Sequence, residues 1–183
     1  MNLNSFNGNQ IFLRFDYEFG GEYMSKIQVI CGSGIGKTSA AIGYGIKGAG
    51  AGKEVIIVQF LKGSDTEDYN LLSRLEPEVK LLSFERVGKC YDELTPEQQE
   101  EQKANIMNGF HYARKVIQTS ECDILILDES LGLVDSGIIE VSQIMELLEL
   151  AKDSELEILL TGRILPDEIL AEADVVTKIE AVK

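Results

Sequence analysis

An α/β fold is predicted for this chain: a mostly parallel sheet with helices on both faces. Three features predict it. Apolar runs such as Val55-Ile56-Ile57-Val58 and Ile124-Leu125-Ile126-Leu127 are continuous rather than alternating, as strands covered on both faces require. These runs alternate with segments that carry helix-start signals or helical periodicity. The first run, Ile27 to Cys31, leads into a glycine-rich turn and then a long helix-compatible segment.

That turn is Cys31-Gly32-Ser33-Gly34-Ile35-Gly36-Lys37-Thr38-Ser39. Strand, glycine-rich turn, Lys-Thr and helix form the grammar of a phosphate-binding loop. Glycines let the backbone curl so that N–H groups face phosphate oxygens, and the helix presents its positive end. Lys37 is expected to reach the outer phosphates and the Thr38 hydroxyl to ligate Mg²⁺. The general pattern G-x-x-x-x-G-K-[ST] asks for glycine where Cys31 stands.

From Lys26 the elements follow in order. The first strand, Ile27–Cys31, precedes a helix from near Lys37 to about Ala51. Gly43, Gly45, Gly48, Gly50 and Gly52 are expected to weaken that helix, since each interior glycine costs about 0.5–1 kcal/mol against alanine. Tight packing on a sheet or on another subunit is the expected reason. A second strand covers Val55 to Phe60, followed by a turn at Leu61–Ser64 and a short helix within Thr66 to Leu75. Val79 to Phe84 is a third strand, and Arg86 to Glu93 a loop. Thr95-Pro96-Glu97-Gln98 starts a long helix: Thr95 caps, Pro96 suits the first position, and Gln98 completes a capping box. That helix runs to about Thr119. A strand over Asp123–Glu129, a helix over Ile138–Lys152, a strand over Glu157–Thr161, a short helix over Pro166–Glu172 and a strand over Asp174–Ile179 complete the expectation.

The run Asp123 to Glu129 is the second diagnostic stretch. A buried aliphatic strand ending in Asp128-Glu129 stands about 90 residues after the loop, where P-loop proteins carry the Walker B carboxylates. One carboxylate holds Mg²⁺ directly or through water, and the other orients it or handles a proton. Repeated strand–helix units imply right-handed crossovers and a parallel sheet, with sites beyond the strands' C-terminal ends. The loop, Gln59 to Gly63, Asp128-Glu129 and Gly162-Arg163 all fall there. The fold class is therefore a single P-loop NTPase-like (RecA-like) domain.

Composition narrows the classes. The chain has 183 residues, enough for one domain with its own core. Its formal net charge of −14 argues against nucleic-acid binding through bulk electrostatics and against docking on an anionic membrane. No apolar run approaches the length of a transmembrane helix. Cys31, Cys90 and Cys122 are scattered and form no C-x-x-C pair, so free thiols in a reducing cytoplasm are expected. His111 is the only histidine and is expected half-buried on a helix. Residues 1–23 lack core-like periodicity and are expected to be a leader, a tag-like piece or an arm, with Met24-Ser25-Lys26 as a natural start of the domain over 24–183. The alternative is a native arm whose Ile11-Phe12-Leu13-Arg14-Phe15 pairs with the sheet or covers the site.

Taken together, the motifs resemble those of the P-loop corrinoid adenosyltransferases, which act on cob(I)alamin or cob(I)yrinic acid a,c-diamide. That family's loop reads approximately G-N-G-K-G-K-T-T, also without the first Walker glycine. Here it is Gly32-Ser33-Gly34-Ile35-Gly36-Lys37-Thr38-Ser39. The V-x-x-x-Q-F-x-K-G strand end is matched by Val55 to Gly63, with Gln59, Phe60, Lys62 and Gly63 in place. Leu127-Asp128-Glu129, Thr161-Gly162-Arg163 with Pro166 following, and Ala173-Asp174-Val175-Val176-Thr177 also match. The resemblance spans Lys26 to Lys183.

The resemblance implies an ATP-dependent transferase with Mg²⁺ or Mn²⁺ and a reduced corrinoid as second substrate. A Co(I) corrinoid attacks the 5′ carbon of ATP, and triphosphate leaves. Lys37, Thr38 and Glu129 are the implied catalytic residues, and Thr38, Asp128 and Glu129 the implied metal site. Gly32, Ser33, Gly34, Ile35, Gly36, Lys37, Thr38, Ser39, Gln59, Lys62, Tyr91 and Arg163 are the implied substrate contacts. A homodimer in the cytoplasm is implied as well. Ser33 and Ile35 replace the family's usual Asn and Lys, which removes one positive charge from the loop. The family's aromatic corrinoid-facing stretch corresponds to Val87–Asp92, where only Tyr91 is aromatic, and the chain has no tryptophan. A P-loop ATPase or small-molecule phosphotransferase, and a non-catalytic nucleotide-binding module, are the alternative readings.

Overall fold

Six parallel strands form one sheet in the order β3-β2-β4-β5-β1-β6. The computed structural model describes residues 27–61, 72–84, 94–152 and 154–183. The strands are β1 (Ile27–Cys31), β2 (Val55–Gln59), β3 (Val79–Ser83), β4 (Ile124–Asp128), β5 (Glu157–Thr161) and β6 (Val175–Lys178). The helices are α1 (Lys37–Gly50), α2 (Pro96–Thr119), α3 (Ser130–Asp135), α4 (Val141–Lys152) and α5 (Asp167–Glu172), with a 3₁₀ turn at Leu72–Leu75. Among the described residues no helix is long and apolar enough to cross a membrane.

The strand pleat divides the core. On β4, Ile124 and Ile126 face one side, where they pack with Ala41 of α1, Val55, Ile57 and Leu159. Leu125 and Leu127 face the other side, against the buried residues of α2, α3, α4 and α5. Every residue of β2, β4 and β5 is buried, which is why their sequences lack polar alternation. At the first residue of β5, the buried carboxylate of Glu157 is neutralised by Lys53 and accepts from the Tyr44 hydroxyl.

The glycines of α1 answer to the sheet. A Cβ at Gly48 would lie 2.4 Å from Ile124 Cδ1, and one at Gly45 would lie 3.1 Å from Val55 Cγ1. Gly43 and Gly50 face open space. Helix α2 starts as expected: Gln98 N–H donates to Thr95 Oγ1 at 3.4 Å and Thr95 N–H to Gln98 Oε1 at 3.1 Å.

Several expectations are corrected. Ile138 and Ile139 do not open a helix; they are buried core residues ahead of α4, which starts at Val141. Ser130–Asp135, to which no element was assigned from the sequence, form α3. The described part of the expected Thr66–Leu75 helix is the 3₁₀ turn, and the rest lies outside the described residues. His111 is exposed rather than half-buried, on the α2 face opposite Phe110 and Ala113. Strands β2 and β3 each end one residue earlier than expected, at Gln59 and Ser83, while β6 is shorter at both ends, Val175–Lys178. The proposed arm over 1–23, Lys62, Cys90 and Tyr91 lie outside the described residues.

Cys31 and Cys122 are free, buried thiols. Burial pushes the Cys122 thiol from 9.0 up to about 12. The unfolded chain therefore ionises this thiol first as pH rises. The contribution of this thiol to stability is fully present below about pH 9 and falls by about 1.4 kcal/mol for each pH unit above it, until the folded thiol ionises near 12. Urea midpoints at pH 8 and pH 10.5 check this: the loss at alkaline pH is expected to be smaller in Cys122→Ala than in wild type.

Candidate functional site

The carboxyl ends of β1, β2, β4 and β5 meet at one place. Beyond β1 the chain turns through Gly32 and Gly36, both at positive φ (112° and 107°), and enters α1 at Lys37. The first-turn N–H groups of Lys37, Thr38 and Ser39 have no carbonyl within the helix and are free for an anion. Ser33, Ile35 and Ser39 are exposed, and Ile35 is 99% exposed at the apex of the loop. The Lys37 ammonium donates to the carbonyls of Gly32 at 2.8 Å and Gly34 at 2.9 Å, so it lies folded across the turn.

Not every loop N–H faces outward. Gly32 N–H donates to the Arg163 carbonyl at 3.0 Å, and Gly34 N–H to the Ile179 carbonyl at 2.9 Å. Ile179 N–H in turn donates to the Cys31 carbonyl at 2.8 Å. The chain after β6 thus clasps the loop. Side chains at Gly32 or Gly34 would collide with it: a Cβ at Gly32 would lie 2.2 Å from the Ile179 oxygen, and one at Gly34 2.9 Å from the Glu180 carbonyl carbon. The N–H groups of these two glycines therefore anchor the loop's base, which leaves the other loop N–H groups to face an anion.

Asp128, 1% exposed, is the hub. Thr38 Oγ1 donates to its Oδ1 at 3.2 Å, joining the loop to the end of β4. Thr161 Oγ1 donates to the same oxygen at 2.7 Å, and Gln59 Nε2 to Oδ2 at 3.0 Å. Register explains the last contact, since Gln59 lies directly opposite Asp128 in the β2–β4 pair. Three side-chain donors thus converge on this carboxyl group. The next residue, Glu129, is half-buried and left-handed (φ 59°, ψ 23°), and it turns the chain from β4 into α3. Leu61, just past β2, is also left-handed at φ 49°. Two such non-glycine residues beside one carboxylate match the clustering of backbone strain at functional sites.

The oxygens of Asp128 and Thr38 are of the hard type that Mg²⁺ or Mn²⁺ takes together with phosphate oxygens and water. Among the described residues there is no group of three His, Cys, Asp or Glu side chains that would hold a metal ion unaided. Arg163 contributes its carbonyl to the loop and lines a cavity of about 440 Å³ with Cys31, Leu165, Leu170, Val176 and Lys178. Thus Lys37, Thr38, Gln59, Asp128 and Glu129 lie at the carboxyl ends of β1, β2 and β4. Arg163 is adjacent through its backbone. Thr161 is the buried site residue missing from the expected set; its position in Thr-Gly-Arg was the available signal.

Gly162 admits α3 to this site. A Cβ there would lie 2.4 Å from Leu131 Cβ and 3.1 Å from Leu131 Cα. Gly162→Ala is expected to displace α3 and cost about 1–3 kcal/mol, read as a lower urea midpoint.

Fold and site together define a P-loop nucleotide-binding α/β protein. The same fold occurs in the KaiC-like protein PH0186 of Pyrococcus horikoshii OT3, with a TM-score of 0.55 at 16% identity over 85% of this chain and 72% of that one. The chain belongs to the family described as ATP:corrinoid adenosyltransferase BtuR/CobO/CobP, whose model matches residues 24–183. It is 28% identical over 158 residues to the corrinoid adenosyltransferase of Escherichia coli K12, covering 86% of this chain and 77% of that protein. The CobA corrinoid adenosyltransferase of Salmonella typhimurium LT2 is likewise 28% identical over 86% of this chain and 77% of its own. The corrinoid adenosyltransferase of Pseudomonas aeruginosa PAO1 is 27% identical over 83% and 73%.

Proposed function

We propose that the chain transfers the 5′-deoxyadenosyl group of ATP to the Co(I) of a reduced corrinoid. The family match over residues 24–183 carries this reading. The cobalt electron pair forms the Co–C5′ bond, the C5′–O bond breaks, and its electrons leave with triphosphate. The reaction needs no protein nucleophile, which fits a site made of a lysine, hydroxyls and carboxylates.

Each residue then has a task. The N–H groups at the start of α1 bind triphosphate oxygens, and Lys37 swings from Gly32 and Gly34 to neutralise the leaving group. Thr38 and Asp128 would hold Mg²⁺ or Mn²⁺, with Glu129 orienting its water shell. The cation, when bound, neutralises charge developing on the leaving triphosphate. Ser33, Ile35 and Ser39 border the nucleotide. Lys62 and Tyr91, outside the described residues, are assigned to nucleotide and corrinoid contact, and Arg163 to the edge of the loop. The enzyme is proposed to act as a homodimer in the cytoplasm, where Cys31 and Cys122 stay reduced; sedimentation equilibrium tests the dimer.

The test of activity is spectroscopic. With ATP, Mg²⁺ and a chemically reduced corrinoid, the absorbance of an alkylcorrinoid should grow and vanish on illumination. Nucleotide consumption without a light-sensitive product would contradict the proposal.

A further inference from the structure

We propose that Thr161 is a positioning residue that binds the metal carboxylate and the turn after β4 into one unit. The inference rests on the reading of Asp128 as the metal-binding carboxylate. Thr161 is 0% exposed at the last position of β5. Its hydroxyl makes two contacts, to Asp128 Oδ1 at 2.7 Å and to Glu129 N at 2.8 Å.

The proton direction follows from the chemistry of the partners. A backbone N–H can only donate, so Glu129 gives its hydrogen to Thr161 Oγ1. The single hydroxyl proton of Thr161 is then committed to Asp128. One hydroxyl thus fixes the carboxylate's orientation and satisfies the amide of the left-handed residue beside it. The strand around Thr161 is itself rigid. Its backbone pairs with Ile30 of β1, and Gly162 N–H donates to the Ile30 carbonyl at 3.3 Å. A β-branched side chain at such a position has few rotamers. The end of β1, which becomes the phosphate loop, and the end of β4, which carries the carboxylates, are therefore tied together through β5.

A valine at this position keeps the shape and removes both bonds. Asp128 loses the hydrogen bond from Thr161 at 2.7 Å, and Glu129 N–H loses the one it gives to Thr161. The consequence falls on the metal-dependent part of ATP binding, because the triphosphate donors at the start of α1 are untouched. Removing partners that orient a metal ligand typically costs about 10–100-fold in metal affinity.

The experiment measures affinity for a fluorescent ATP analogue, once in EDTA and once with saturating Mn²⁺. Wild type, Thr161→Val and Thr161→Ser are compared, each with its fold checked by thermal melting. The ratio of the two affinities is expected to fall about tenfold in Thr161→Val and to stay near wild type in Thr161→Ser, with affinity in EDTA unchanged in both. A merely structural role would move both affinities together and leave the ratio intact, which overturns the proposal. Where Thr161→Val does not fold, Thr161→Ala carries the same comparison, since it opens a small cavity instead of placing a methyl against a carboxylate. An equal ratio in wild type and the variant overturns the role of Thr161 alone. No gain from Mn²⁺ in wild type removes the metal reading of Asp128, and the role of Thr161 with it.

Discussion

Lys37→Ala is expected to weaken ATP binding by about two orders of magnitude. The ammonium already donates to two carbonyls across the loop, at 2.8 and 2.9 Å, so it is held where a triphosphate would displace it. Charge-assisted hydrogen bonds contribute about 1.5–3 kcal/mol each, and two of them amount to a hundredfold or more in affinity. The loss should be in binding rather than folding. Gly32 and Gly34 keep their N–H bonds to Arg163 and Ile179, so the loop's base stays anchored. Titration calorimetry with ATP, together with a thermal melt, checks both parts. Near-wild-type affinity would show that this loop is not the phosphate site.

Asp128→Asn is expected to lower kcat about a thousandfold. A metal-bound phosphate oxygen draws several kcal/mol of transition-state stabilisation from the cation, and about 1.4 kcal/mol is a factor of ten. The substitution keeps the shape of the side chain and removes its charge. It also disturbs the hydrogen bonds, because three donors converge on Asp128 and an amide offers one oxygen only. Its NH₂ group would face a donor from Thr161, Thr38 or Gln59. A further loss of about 1–3 kcal/mol in stability is therefore expected, read in urea. Initial rates at saturating ATP, Mg²⁺ and corrinoid give the kinetic part. A fall of less than tenfold would remove Asp128 from the metal site.

The two predictions draw on parts of the molecule that were unequally legible in the sequence. β2 and β4 could be read because Val55–Val58 and Ile124–Leu127 run without a polar break, as strands buried on both faces do. α2 could be read because Thr95, Pro96 and Gln98 announce its start. The closeness of Thr38 and Asp128 could be expected because one follows the turn after β1 and the other ends β4, at the same end of the sheet.

α3 was hidden for a local reason. It has six residues, and the chain enters it through left-handed Glu129, which looks like any glutamate in sequence. Ile138 and Ile139 imitated the first turn of α4 because residues that plug a core and residues that open an amphipathic helix are equally apolar. Thr161 stood in a matching Thr-Gly-Arg, but threonine is an ordinary strand former and its contacts appear only when β4 and β5 are set side by side. The clasp of Ile179 on the loop joins residues 145 positions apart and has no local signature.

The central claim is that this loop holds a leaving group and not a phosphate to be handed on. Phosphorus NMR of a reaction with ATP, Mg²⁺ and reduced corrinoid tests it most directly. The account predicts inorganic triphosphate in one-to-one ratio with the light-sensitive Co–C product. ADP and orthophosphate in its place would contradict it.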